Sequence, residues 1–191
     1  MEVRKCNRHN LNTQPCQGGF TLIETLIAMA VMVVGLVGVV GLFSASVGSA
    51  YNSQADLIAK QKARQALESI FTARNTQQVS FDMVSNVSSG GIFLDGWQQL
   101  RAAGADGLTG TADDGAPETT TLPGVDGLYG TADDIIVPLS QFQRQIVIQP
   151  AIRSDGSADP NLRQVSVSLQ YPASNGIMNS YSVSTYISRY R

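Results

Sequence analysis

The sequence predicts an α+β protein in which one long N-terminal helix lies on a small antiparallel β-sheet. Three observations predict it. An 18-residue run without a polar side chain, Leu26–Phe43, lies in a stretch with no proline between Pro15 and Pro117. Small and apolar residues then recur at spacings of three and four through residues 55–71, which marks one face of a helix. Near the C-terminus, residues 164–171 and 181–187 alternate apolar with polar, which marks half-buried strands.

The chain has 191 residues, enough for one ordinary domain and an appendage but hardly for two full domains. Apolar content of 43% with 15% charged residues is that of a globular protein. A net charge of −2 and a pI near 5.3 argue against a nucleic-acid binder, which shows a basic excess or stripe. Both cysteines and the one histidine, Cys6, Cys16 and His9, lie before residue 17. If the N-terminus is removed, the remaining chain has no thiol and no imidazole. That excludes a disulfide, a Cys or His nucleophile–base pair and a Cys/His zinc site.

Residues 1–19 are polar and carry Arg4, Lys5 and Arg8 against Glu2 alone. No charged residue occurs from Thr25 to Ala55. The apolar run spans about 27 Å as a helix, against a bilayer hydrocarbon thickness of about 30 Å. The basic leader is then expected to stay in the cytoplasm, with the rest facing outward. The run is too long for an ordinary secretory signal. Cys16 has no apolar segment before it, so it does not read as a lipoprotein site. Hydropathy alone leaves an uncut signal anchor open.

The junction Gly18-Gly19-Phe20-Thr21-Leu22-Ile23-Glu24 resembles the processing site of type IV prepilins and type II secretion pseudopilins. The likeness covers roughly residues 18–50. It implies a pilin-like fold, cleavage by a prepilin peptidase between Gly19 and Phe20, and N-methylation of Phe20. Within it, Leu26-Ile27-Ala28-Met29 and Gly35-Leu36-Val37-Gly38 look most like the minor pilins called pilus-modification proteins. The resemblance further implies a structural subunit, not an enzyme. Its place would be the bacterial inner membrane, in a single pass with the head in the periplasm, and later the pilus or cell surface. Its partners would be the peptidase, other pilin or pseudopilin subunits, the inner-membrane assembly platform and membrane lipid. The resulting organisation is a leader at 1–19, a transmembrane and polymerisation helix at 20–50, its amphipathic half at 51–74, and a β-rich head at 75–191.

Glu24 is the assembly residue in this reading. An unpaired carboxylate inside a membrane helix costs at least ~2.5 kcal/mol. The cut chain offers no Lys or Arg until Lys60, so the free amine of Phe20 is the nearest cation. The resemblance implies that the amine of a neighbouring subunit can serve the same purpose. The alternative is a carboxylate that snorkels to the interface near the helix N-terminus, where the helix dipole favours it. The helix is expected over about Phe20–Arg74, with Ala55, Ala59, Ala63, Ala66, Leu67, Ile70 and Phe71 on the face toward the head. Gly35, Gly38 and Gly41 weaken it intrinsically. They permit either close helix approach or local unwinding on assembly.

Beyond the helix, Asp95–Ala102 predicts a short helix, with Trp97 as a core or interface anchor. A duplication follows. Residues 104–114, GADGLTGTADD, return as residues 124–134, GVDGLYGTADD, with nine of eleven positions identical. The span 104–134 holds seven acidic residues and no basic one. Oxygen donors with turn-forming glycines point to Ca²⁺, with Asp106, Asp113 and Asp114 in one loop and Asp126, Asp133 and Asp134 in the other. The EF-hand spacing is absent. The alternatives are a solvated acidic insertion and, less in keeping with the lack of companion groups, a catalytic carboxylate pair. The head then continues with strands at 145–149, 164–171 and 181–187, with turns at 154–157 and 172–176, as an antiparallel meander.

Overall fold

The structure, a computed structural model, describes residues 20–190. Helix α1, Leu22–Asn75, runs unbroken for 54 residues, close to the expected bounds. The chain divides into two compact units, Met1–Ala45 and Ser46–Arg191. In the first unit, every described residue is exposed and makes no core. Gly35, Gly38 and Gly41 are helical there, with open space where a Cβ would stand. The helix is long and apolar enough to cross a membrane.

In the second unit, the helical stripe does what its spacing dictates. Ala55, Ala59, Ala63, Ala66, Leu67 and Ile70 are buried, Ala73 extends the row, and Phe71 packs at its margin. Arg74 in the last turn suits the negative end of the helix dipole. The facing layer is an antiparallel sheet in the order β1-β4-β5-β6, built from β1 Gln98–Gln99, β4 Gln143–Ile152, β5 Ala158–Pro172 and β6 Met178–Ser188. β4, β5 and β6 form the expected meander. The remaining pair, β2 Thr119–Leu122 and β3 Ile135–Pro138, makes a separate two-stranded sheet.

Alternation decides which face of the meander is dry. Val165, Val167, Leu169 and Tyr171 of β5 point inward with Ile146 and Ile148 of β4, in the same cluster as the alanine stripe. The outward serines pair across the strands, Ser166 with Ser184 at 2.8 Å and Ser168 with Ser182 at 3.0 Å. The ladder between β4 and β5 shifts between Pro150 and Ala151. Proline has no N–H to donate, so it sits where pairing breaks. Polar contacts fasten the helix to the sheet. The Asp56 carboxylate accepts the Tyr171 hydroxyl at 2.9 Å and Lys60 Nζ at 2.6 Å, and Asn52 accepts the Ser174 N–H at 2.7 Å. The Lys60 and Tyr171 hydrogen bonds hold Asp56 below the usual carboxylate range. Burial, aided by Asp56, pushes Tyr171 up to about 12.

One expectation needs correction and another is narrowed. Asp95–Ala102 is not helical: Gln98 and Gln99 form β1, which pairs with Arg144 and Gln143. Of the two places expected for Trp97, core or interface, it does not take the core: it is 37% exposed, while Leu100 just beyond β1 is buried. Asn86 does a job with no strong sequence signal. β1 is too short to cover all of β4, and the buried Asn86 side chain takes over as a surrogate strand. It donates to Ile146 O and accepts the Ile148 N–H, both at 2.8 Å. Asn86→Ala leaves both backbone groups unpaired and is expected to lower unfolding stability by about 2–4 kcal/mol. Denaturant titration of the full chain in detergent measures it.

Candidate functional site

Two regions carry chemistry. The first is the start of α1. Gly19, like Cys6, His9 and Cys16, lies outside the described residues, so of the expected cleavage junction only Phe20 is described. Phe20 is exposed and non-helical. Thr21 caps the helix: the Glu24 N–H donates to Thr21 O at 3.1 Å and to Thr21 Oγ1 at 3.3 Å. Thr-x-x-Glu is the capping-box pattern, a sequence signal overlooked in favour of the charge. Only its threonine half is formed. Among the described residues, nothing bonds the Glu24 carboxylate, which stands exposed beside Leu22, Ile23 and Ile27. An acidic group in the first turn suits the helix dipole. A free carboxylate amid apolar side chains is also ready for a cation.

The second region is the duplication. Its two copies fold alike. Gly107 and Gly127 both have φ of 70°, while Gly110 and Gly130 have φ of 85° and 84°, a left-handed backbone that glycine adopts at no steric cost. Asp113 Oδ2 accepts the Asp106 N–H at 3.2 Å, and Asp133 Oδ2 accepts the Asp126 N–H at 3.3 Å. Asp106 and Asp126 each accept the N–H two residues on, from Leu108 and Leu128, at 2.8 Å. Asp114 and Asp134 take the Gly110 and Gly130 N–H groups at 2.8 and 2.7 Å. Thr111 and Thr131 hydroxyls donate to Asp113 and Asp133 at 2.8 and 2.7 Å. Gly104 and Gly124 complete each loop, since a Cβ at either would overlap the facing aspartate.

The loops thus bring Asp106 back to Asp113, and Asp126 back to Asp133, as the sequence predicts. The closing contacts run from backbone to carboxylate, not between carboxylates around a centre. The donors are of the class that suits Ca²⁺. Among the described residues, no group of three or more His, Cys, Asp or Glu side chains is placed to hold a metal.

The copies differ in their surroundings. In the first, Leu108, Thr109 and Thr111 are buried, and Asp114 and Glu118 flank the buried Arg144 at 3.9 and 3.7 Å. Burial lowers the Arg144 pKa, while Glu118 and Asp114 push it back up. Lys62 adds a second cation on Glu118 at 2.5 Å. The inward arginine of β4, at a position where Ile146 and Ile148 set the pattern, went unread in the sequence. In the second copy, Leu128 and Tyr129 are exposed.

Residues 14–40 match the family model of the prokaryotic N-terminal methylation motif. The motif, with the long apolar helix directly behind it, fits a type IV prepilin or pseudopilin. No curated protein and no solved structure matches the chain. The match covers the start of the helix, not the head.

The acidic loops carry a pH prediction. The threonine hydroxyls first, then the backbone N–H groups of Asp106 and Asp126, hold Asp113 and Asp133 below the ordinary aspartate value, against a smaller opposing effect of burial. A lowered folded value stabilises the loops above the unfolded aspartate pKa of about 3.9, and this contribution is lost as pH falls through the folded value. The melting temperature of the full chain should therefore fall on acidification below about pH 4, and Asp113→Asn should make that slope shallower. An unchanged slope in the variant contradicts the assignment.

Proposed function

We propose that the chain is a minor pilin, a structural and assembly subunit of a type IV pilus. Prepilin peptidase cuts it between Gly19 and Phe20 and methylates the Phe20 amine. Residues 20–50 hold it in the bacterial inner membrane, leader in the cytoplasm and head in the periplasm, until α1 carries it into the filament. Its partners are the peptidase, other pilin subunits and the inner-membrane assembly platform.

One observation supports this reading most. Glu24 is an ionisable side chain at the start of an apolar helix, inside the matched methylation motif, with no bond to its carboxylate among the described residues. Left unpaired in lipid it costs at least ~2.5 kcal/mol. Cleavage creates the amine that can offset this cost, one helical turn away in the same subunit or on the Phe20 of its neighbour. The two sides of the junction thus depend on each other: the peptidase makes the cation that the carboxylate takes. A type II secretion pseudopilin has the same chemistry. The likeness of residues 26–29 and 35–38 to pilus-modification proteins favours the pilus, and the genes beside this one discriminate the two.

Glu24→Ala is expected to leave cleavage and methylation intact and to lower recovery in sheared filaments at least about tenfold, in line with the loss of an ion pair in an apolar setting. Wild-type recovery of the variant contradicts the role. Calcium at Asp106, Asp113 and Asp114, and at Asp126, Asp133 and Asp134, is a separate proposal, supported by the oxygen-rich duplication. It predicts a higher melting temperature of the full chain in calcium than in chelator. Equal midpoints dispose of it.

A further inference from the structure

The duplicated loop occurs in two settings, and the first shows how the motif docks. In the copy at 104–114, Leu108 is 1% exposed and part of the core. The Gly110 carbonyl accepts the Leu94 N–H at 2.7 Å, and Gly110 lies so close to Ile146 that a Cβ would stand 2.8 Å from its Cδ1. Asp114 faces the buried Arg144 guanidinium. The motif, in short, is a closed loop that inserts a leucine into an apolar socket and sets a carboxylate against an arginine.

The copy at 124–134 has the same glycine backbone and the same closing bonds to Asp126, Asp133 and Asp134 Oδ2, yet its leucine enters no socket. Leu128 is 62% and Tyr129 70% exposed, and Val125, Ile135 and Ile136 beside them are exposed as well. Asp134 Oδ1, the counterpart of the Asp114 oxygen bonded by Thr111, is buried without a hydrogen-bond partner among the described residues. The loop joins β2 to β3, which pair only with each other. A two-stranded hairpin is marginal alone in water and gains from a surface to lie on. A cluster of exposed large apolar side chains marks an interaction site.

We propose that the tip of the β2–β3 hairpin, carried by the exposed Leu128 and Tyr129 with Asp126 and Asp133 beside them, docks on a neighbouring, different subunit of the filament, into an apolar socket with a cationic rim. This rests on the pilin reading above. Two observations choose the occupant. The span 104–134 has acidic and no basic side chains, so it is complementary to a cationic socket. The socket of that chemistry described in this chain, at Ile146 and Arg144, is already filled by the chain's own first loop. One copy of the motif thus ties the head together, and the other is left to tie the head to a partner.

The test uses the full chain expressed in cells that build the filament. Leu128→Asp and Tyr129→Ser alter exposed side chains and are expected to leave processing and protease resistance unchanged while lowering recovery in sheared filaments about tenfold or more. Wild-type recovery of both overturns the proposal. Absence of the unaltered chain from filaments overturns the pilin reading together with it, so the two failures differ. Tyr129→Cys would be the sole cysteine of the processed chain. Cross-linking it within filaments is expected to give a product containing a second pilin-type subunit. A product of twice the chain's own mass assigns the socket to another copy and overturns the choice of a different subunit.

Discussion

The head rests on the burial of one small-residue face of the helix against the sheet. Ala55, Ala59, Ala63 and Ala66 of α1 are buried in the same cluster as Val165, Val167 and Leu169 of β5. Leucines in those positions would lift the helix and open gaps that the surrounding side chains could fill only in part. Polar ties flank that face: Tyr171 reaches Asp56, and Asn52 accepts the Ser174 N–H in the turn after β5. Upstream the same helix has no such face. Its side chains from Phe20 to Val47 are exposed, and the valines and glycines there are poor intrinsic helix formers in water. Hydrocarbon, where every backbone group must bond within its own segment, supplies the missing reason to stay helical.

The acidic insertion obeys a different economy. Close carboxylates repel unless each finds donors, and here each loop finds them in its own backbone. The glycines at 107 and 110, and at 127 and 130, turn N–H groups inward for the aspartates to accept. Once closed, the first loop brings Asp114 toward Arg144, and Glu118 joins it from the start of the hairpin. Removing one carboxylate would strand a buried guanidinium, which is why such a cluster fixes the geometry more than it adds net stability.

The sequence carries the parts of this structure that arise from local pattern. The helix is legible from its spacing and from the lack of proline. The three long strands are legible from alternation, since one face of each is dry. The methylation motif is legible because it is a short linear signal. What stayed hidden depends on distant partners. Asn86 reads as one more loop asparagine until β1 proves too short to cover Ile146 and Ile148. Asp95–Ala102 has helical composition, but pairing with the end of β4 draws Gln98 and Gln99 into a strand. The two copies of the loop are nearly the same string and have opposite fates. Leu94, Arg144 and Ile146 receive the first, and the local sequence of either copy contains nothing about them.

The central claim is that the chain becomes a filament subunit by being cut at Gly19–Phe20, so that the new amine can meet Glu24. The most direct measurement is the intact mass of the protein recovered from membranes with prepilin peptidase present, beside the same strain without it. The account predicts a chain of residues 20–191 carrying one additional methyl group, and the full-length chain where the peptidase is missing. A full-length chain in both strains would contradict it and leave an uncut membrane anchor.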